Sequence, residues 1–369
     1  MRVAIVHDWL NGMRGGEKVL EALLEVFPAA TIYTLLHEPG KVSRSIESHA
    51  IITSWLNRLP GVYAHYRNLL PLFPAAIESF DLSSFDLVLS SSHSVAKGVR
   101  AGRGLHICYC HTPMRYVWDA EDDYNFNAVR RIAMRMIRSR MQRWDCEASN
   151  RVHRFVANSQ FVRERIQTYY GREAAVIYPP VDTGFFQPVA DAGRDDFYLA
   201  VGALVPYKRF DLIIEAFRNL GRRLVVAGHG SELEKLRKCA PGNVEIRGRV
   251  DDEELRHLYR RARAMVVAAR EDFGIVAAEA QSCGCPVIAF GAGGSPEIIQ
   301  DGINGLLFAE QHADDIVRAV LRLESMAWPV EQVRQKVEMF SRENFKTQIR
   351  QFVANRMGTR VSASQLQPA

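Results

Sequence analysis

The chain contains two successive series of short apolar runs, and this is the feature that most limits how it folds. The first series reads "RVAIV", "ATIYTLL", "FDLVLSS", "LHICYC", "RFVANS" and "AVIYPP". The second reads "FYLAVG", "RLVVAG", "NVEIRG", "AMVVAA", "PVIAF" and "GLLF". The runs do not alternate polar with apolar residues, so each strand must be covered on both faces. That is the signature of parallel strands layered by helices. Amphipathic stretches fit between the runs at 17–27, 159–170, 210–220, 252–261 and 273–282, with Ser159 and Asp251 as N-caps.

The stretch "TGFFQPVADAGRDD", 183–196, has Gly, Pro and charge but no periodicity, and it lies between the two series. It divides the chain into domains at 1–185 and 186–344, with a helix at 345–358 expected to pack back on the first and a flexible tail at 359–369. The fold class is α/β, two facing Rossmann-like domains with an inter-domain cleft, where ligands bind beyond the carboxyl ends of the strands. A chain of 369 residues suits two such domains. "MRVAIVHDWL" reads as a first strand rather than a signal peptide, because His7 and Asp8 end the apolar run early. No run is long enough to cross a bilayer. The six cysteines fit buried strand thiols better than a disulfide framework, and "CYCH" at 108–111 has no matching second ligand pair for zinc. No metal site and no cofactor are expected.

Four places bear on chemistry. After the first strand, "HDWLNGMRGGEKVLEALL" puts Gly15 and Gly16 together before a helix. Backbone N–H groups there can approach a phosphate closely, although a plain strand-to-helix turn explains the pair equally well. In "VGALVPYKRFDLIIEAF", Lys208 and Arg209 stand just past a strand and before a helix, where cations meet phosphates. "AGHGSELEKL" places Gly230 at another helix mouth. In "REDFGIVAAEAQSCGCPVIAFGAGGSPEII", Glu271 follows a strand, Phe273, Gly274 and Ile275 begin a helix, and Glu279 lies about two turns along it. Two glutamates at that spacing are common on solvated helices. With a helix mouth between them, they also fit a diphosphate flanked by hydroxyl-bearing sugars.

The formal net charge of +5 is mild, and no basic, aromatic-interleaved motif points to nucleic acid. The charge is unevenly spread, since residues 125–144 carry six arginines and no acidic residue. Val129, Ile132, Ala133, Met136 and Ile137 share one helical face, with Arg131, Arg135 and Arg138 opposite. A core helix with a solvated arginine side and a contact with an anionic membrane surface both fit this pattern.

Taken together, "EDFGIVAAEAQSCGCPVIAFGAGGSPEII", "DGINGLLF", "VANSQFVRERI", "VIYPPVDTGFF", "LVPYKRFDLIIEAF" and "GRVDDEELRHLYRRARAMVVAAREDFG" resemble family-4 retaining glycosyltransferases across almost the whole chain. "VHDWLNGMRGGEKVLE" with "CHTPMRYVWD" is most similar to the bacterial O-antigen and exopolysaccharide mannosyltransferase branch. The resemblance implies a GT-B fold, with acceptor on the first domain and donor on the second. It implies that Glu279 binds ribose and Glu271 the transferred sugar. It also implies that Lys208, Arg209, Gly274 and Ile275 hold the diphosphate while Gly15 and Gly16 close from the other domain. His111 would meet the donor sugar near the reacting carbon; from the residues alone it reads as a packed histidine beside Pro113. Many relatives have an arginine where this chain has Ala203, so Arg209 is a candidate replacement.

The implied reaction is metal-independent, retaining transfer of a hexose, with GDP-mannose as the favoured donor and a lipid-linked saccharide as acceptor. A UDP-sugar transferase and a nucleotide-sugar epimerase of the same fold are the alternatives. The implied location is the cytoplasm, peripheral on the inner face of the bacterial cell membrane.

Overall fold

A computed structural model describes residues 1–119, 128–189 and 193–358. The expected tail at 359–369 and the first residues of the arginine-rich stretch lie outside the described residues. The chain divides into two compact units, one holding residues 1–119, 128–180 and 343–358, the other 181–189 and 193–342.

The first unit is built on a seven-stranded sheet: β1 (Val3–His7), β2 (Thr31–Thr34), β3 (Ile51–Thr53), β4 (Leu87–Ser92), β5 (Leu105–Cys110), β6 (Arg154–Ala157) and β7 (Ala174–Val176). Its order is β3-β2-β1-β4-β5-β6-β7, with every pair parallel. Val3 and Ile5 point into one core with the helix Gly15–Val26, while Ala4 and Val6 point into a second core on the other face. Burial on both sides explains why β1 lacks polar alternation. Phe345, Ile349 and Val353 of the helix Arg342–Met357 complete the first of these cores. β3 was not visible in the sequence. It is a three-residue edge strand in which Ile52 is exposed, so it carries no continuous apolar signal.

The second unit holds a six-stranded sheet: β8 (Tyr198–Val201), β9 (Leu224–Ala227), β10 (Val244–Gly248), β11 (Met265–Val267), β12 (Val287–Phe290) and β13 (Gly305–Phe308). Its order is β10-β9-β8-β11-β12-β13, again all parallel. Both sheets reverse direction beside their first strand, between β1 and β4 and between β8 and β11. That reversal opens a crevice at the carboxyl edge of each. Part of the predicted seam is packed: Phe186 is buried, its ring 5.7 Å from Tyr259 and its carbonyl accepting from Ser282 Oγ at 2.5 Å.

The arginine-rich stretch forms the helix Ala128–Asn150. Its described half keeps Ile137 against the core but otherwise departs from the expected faces. Met136 is 79 % exposed, whereas Arg138 turns inward and donates from Nε to the Val117 carbonyl at 2.9 Å. Met141, Asp145 and Ala148 set the buried face instead. Asp145 is held there by the buried Lys97 and by Trp118 Nε1 at 2.8 Å and Tyr170 Oη at 2.6 Å. Among the described residues no helix is long and apolar enough to cross a membrane.

Candidate functional site

In the second unit the predicted residues gather around the β8/β11 crevice. β8 leads into a short turn, Pro206–Lys208, and Arg209 follows in the left-handed region at φ 54°. Among the described residues it is the one non-glycine with such a backbone. That conformation disfavours a side chain and recurs at functional turns. Lys208 reaches across the crevice to form an ion pair with Glu271, the residue that follows β11 at an isolated bridge with Gly293. Arg209 is engaged by its neighbour Asp211 at 3.2 Å.

Gly274 caps the helix Ile275–Ser282 at φ 102°, a conformation that suits only glycine. The first N–H groups of that helix have no partner within it, and its cap lies against Glu271, a Cβ on Gly274 standing 3.6 Å from the Glu271 Cβ. Phe273 is buried against Phe340, ring centres 5.3 Å apart, and anchors the turn. Glu279 is only 2 % exposed, and Tyr259 donates to it at 3.3 Å. Burial, then the nearby Glu279, keeps the Tyr259 phenol well above its ordinary pKa and therefore protonated. Gly230 has a packing reason for being glycine: a Cβ there would lie 2.3 Å from the Leu204 carbonyl oxygen, where the β8 and β9 loops run together. The Gly293–Gly294 pair was in the motif but had no role in the sequence reading. Gly294 donates to the Glu271 carbonyl at 2.8 Å, and a Cβ on either glycine would collide with the Glu271–Phe273 backbone.

In the first unit the β1/β4 crevice holds groups that the sequence reading passed over. Asp8 is fully buried and accepts four backbone N–H bonds, from His93, Ser94, Val95 and Ala96 at 2.7–3.0 Å. It also faces His93 Nδ1 at 3.1 Å. Asp8 thereby fixes the loop after β4. The predicted His111 follows β5, and its Nε2 lies 2.8 Å from Ser91 Oγ. Ser91 in turn meets His7 Nδ1 at 3.1 Å. Burial, reinforced by His93 and His7, depresses the His111 pKa well below the usual imidazole value, so the ring is neutral at neutral pH. Gly15 begins the helix Gly15–Val26, and a Cβ on Gly16 would stand 3.4 Å from His7 and 3.7 Å from His111. The glycine brings the helix mouth against both imidazoles. Signals for His7, Asp8 and Ser91 exist only as polar residues ending apolar runs, a pattern too common to stand out. Among the described residues no three His, Cys, Asp or Glu side chains converge as a metal site.

Two parallel-sheet units of this topology, each with polar groups gathered at its switch point, define the GT-B class. Known proteins agree. The model for glycosyltransferase family 4 matches residues 13–185, and the model for glycosyl transferases group 1 matches 183–344. The chain belongs to this glycosyltransferase family. An uncharacterised glycosyltransferase of Methanocaldococcus jannaschii is 30 % identical over 48 % of this chain and 51 % of its own length. A GDP-mannose-dependent alpha-(1-6)-phosphatidylinositol monomannoside mannosyltransferase of Mycobacterium tuberculosis is 32 % identical over 45 % of this chain and 51 % of its own. The chain thus spans about half the length of the curated relatives it matches. The crystal structure of Anabaena HepE in complex with UDP and glucose superposes with a TM-score of 0.73 at 16 % identity, covering 96 % of this chain and 99 % of that one.

Proposed function

We propose that this protein is a retaining, metal-independent hexosyltransferase of the O-antigen and exopolysaccharide branch, moving mannose from GDP-mannose onto a lipid-linked saccharide. The observation that carries the reading is the Lys208–Glu271 pair at the mouth of the Ile275–Ser282 helix. A cation and helix N–H groups stand beside a carboxylate suited to sugar hydroxyls. In glycosyl transfer the bond from the anomeric carbon to phosphate breaks, and negative charge grows on the leaving diphosphate. Lys208 and the N–H groups of Gly274 and Ile275 would hold that charge more tightly as it develops, which lowers the barrier without a protein nucleophile. Arg209 and Gly230 line the same edge. Glu271 would position the hexose and Glu279 the ribose, the latter requiring its buried carboxylate to become accessible. Gly15, Gly16 and His111 would be the first unit's contribution to donor binding. In a retaining reaction the acceptor hydroxyl attacks the face the phosphate leaves, and the phosphate takes its proton.

GDP-mannose is favoured by the mycobacterial relative's name and a UDP-sugar by HepE's bound UDP and glucose. Binding and turnover with GDP-mannose, UDP-glucose and UDP-N-acetylglucosamine decide between them. Binding of none would sink the proposal. Epimerised sugar nucleotide without transfer to an added lipid-linked acceptor would favour the epimerase. Turnover should survive excess EDTA; its loss, with rescue by magnesium or manganese, overturns the metal-free reading.

A peripheral position on the cytoplasmic face of the inner membrane would bring the enzyme to a lipid-linked acceptor. Exposed Arg140 and Arg143 beside Met136 support it, as does the acid-free stretch 49–77, where Trp55, Leu59 and Leu72 are exposed.

A further inference from the structure

Four polar side chains stand in single file at the β1/β4 crevice. Glu17 Oε1 lies 3.6 Å from His7 Nε2, His7 Nδ1 lies 3.1 Å from Ser91 Oγ, and Ser91 Oγ lies 2.8 Å from His111 Nε2. Glu17, His7 and Ser91 are buried, with 2 %, 0 % and 0 % exposure. A serine hydroxyl between two imidazole nitrogens donates to one and accepts from the other, so with both rings neutral the file has two polarities.

In one polarity His7 donates through Nδ1 to Ser91, which donates to His111. The bare lone pair of His7 Nε2 then faces the Glu17 carboxylate. In the other, His7 carries its proton on Nε2, toward the carboxylate. Its Nδ1 accepts from Ser91, and Ser91 accepts from the Nε2–H of His111. The gap of 3.6 Å is long for a hydrogen bond, yet a carboxylate's charge acts strongly at that range in a dry interior. Only the second polarity places a positive group before it. Burial raises the Glu17 pKa, but its polar neighbours outweigh that and the net shift is downward; the Arg14 backbone N–H donates to Oε2 at 2.9 Å and the Arg14 guanidinium stands 3.9 Å from Oε1, so the carboxylate is ionised. Asp8 does not compete for the file, since the loop N–H groups and His93 occupy it.

We infer that Glu17, acting through His7 and Ser91, is a positioning residue that sets the tautomer of His111, keeping its proton on Nε2 and leaving Nδ1 as a hydrogen-bond acceptor. The consequence for turnover rests on the donor-site reading above, in which that acceptor receives a hexose hydroxyl.

Glu17→Gln tests the polarity directly. The Arg14 backbone N–H donates to Glu17 Oε2 at 2.9 Å, so in the variant the amide oxygen takes that place and the NH2 turns to His7 Nε2. His7 must then accept there, and the file reverses. The readout is the nitrogen spectrum of histidine-labelled protein at about pH 8, where ordinary imidazoles are neutral. The His111 signal is assigned by its loss in His111→Asn. Wild type should show His111 protonated on Nε2, Glu17→Gln on Nδ1, and Ser91→Ala a mixture. Protonation on Nδ1 in wild type, or the same tautomer in all three, overturns the inference. Should Glu17→Gln not fold, Ser91→Ala decides it alone, an unchanged tautomer being the negative result. Glu17→Gln should also lower kcat/KM for the donor roughly tenfold, chiefly through KM, as expected for one misdirected hydrogen bond. Tautomer reversal without that loss leaves the positioning role intact and removes His111 from the donor site.

Discussion

Lys208 and Glu271 meet as an ion pair across the switch point of the second sheet, although 63 positions separate them in the chain. Each therefore holds the other in place, and neither can be removed without changing the charge its partner presents.

Lys208→Ala should reduce kcat on the order of a hundred- to thousandfold, the usual effect of deleting one stabiliser of developing charge. It should also weaken donor binding, because Glu271 would then face the diphosphate uncompensated. Lys208→Ala, Glu271→Gln and the double variant form a cycle whose coupling in donor affinity should reach roughly 1 kcal/mol or more. Additive effects would mean that the pair has no functional link.

Gly294→Ala tests the support beneath Glu271. The added methyl would sit 2.6 Å from the Asp272 carbonyl oxygen and from Phe273 Cα, so the backbone must shift. A loss of about 1–3 kcal/mol is expected in urea unfolding, with a larger relative loss of turnover. Unchanged stability and activity would show that the loop gives way freely.

The pair of Lys97 and Asp145 fixes the arginine-rich helix from within, both side chains being almost wholly buried. Burial lowers the Lys97 pKa, but Asp145 outweighs it and the net shift is upward, so the lysine stays charged. Lys97→Met leaves a buried carboxylate without its cation and should cost about 3–5 kcal/mol, with the Lys97→Met/Asp145→Leu double variant less destabilised. The comparison is read by chemical denaturation.

His106 should make stability fall in acid. It is fully buried, its Nε2 2.9 Å from Ser90 Oγ, and burial with the charges of His153 and Arg151 lowers its pKa from 6.5 to about 3. Between those values the unfolded chain binds the proton and the folded chain does not. Its contribution is therefore present above about pH 6.5 and declines as pH falls, by roughly 2 kcal/mol at pH 5. His106→Asn should flatten that part of the pH–stability profile.

Membrane contact predicts sedimentation with vesicles that rises with anionic lipid and falls with salt. Arg140→Glu/Arg143→Glu and Trp55→Ser/Leu59→Ser should each reduce it. Arg138 is unsuitable for this test, because its guanidinium supports the Val117 carbonyl. Equal binding by wild type and both folded variants would remove the membrane reading.

Strand identity, parallel pairing and the helix mouths were legible in the sequence because they depend on local properties. Unbroken apolar runs require cover on both faces, and glycine or a capping residue marks where a strand gives way to a helix. Lys208, Glu271 and Gly274 could be singled out for that reason, since each stands where a strand end must meet a ligand or a helix start. Which side chains meet is a different matter. Strand order brings residues of β1, β4 and β5 side by side, so His7 and Ser91 touch across 84 positions and Ser91 and His111 across 20. Asp8 looked like the end of a strand until the loop after β4 supplied its four N–H donors. Arg138 looked solvated until the Val117 carbonyl came within reach of its Nε. The local chemistry of a residue is written in its neighbours along the chain, but its partner is chosen by the packing of the sheet, and only the tertiary structure decides that.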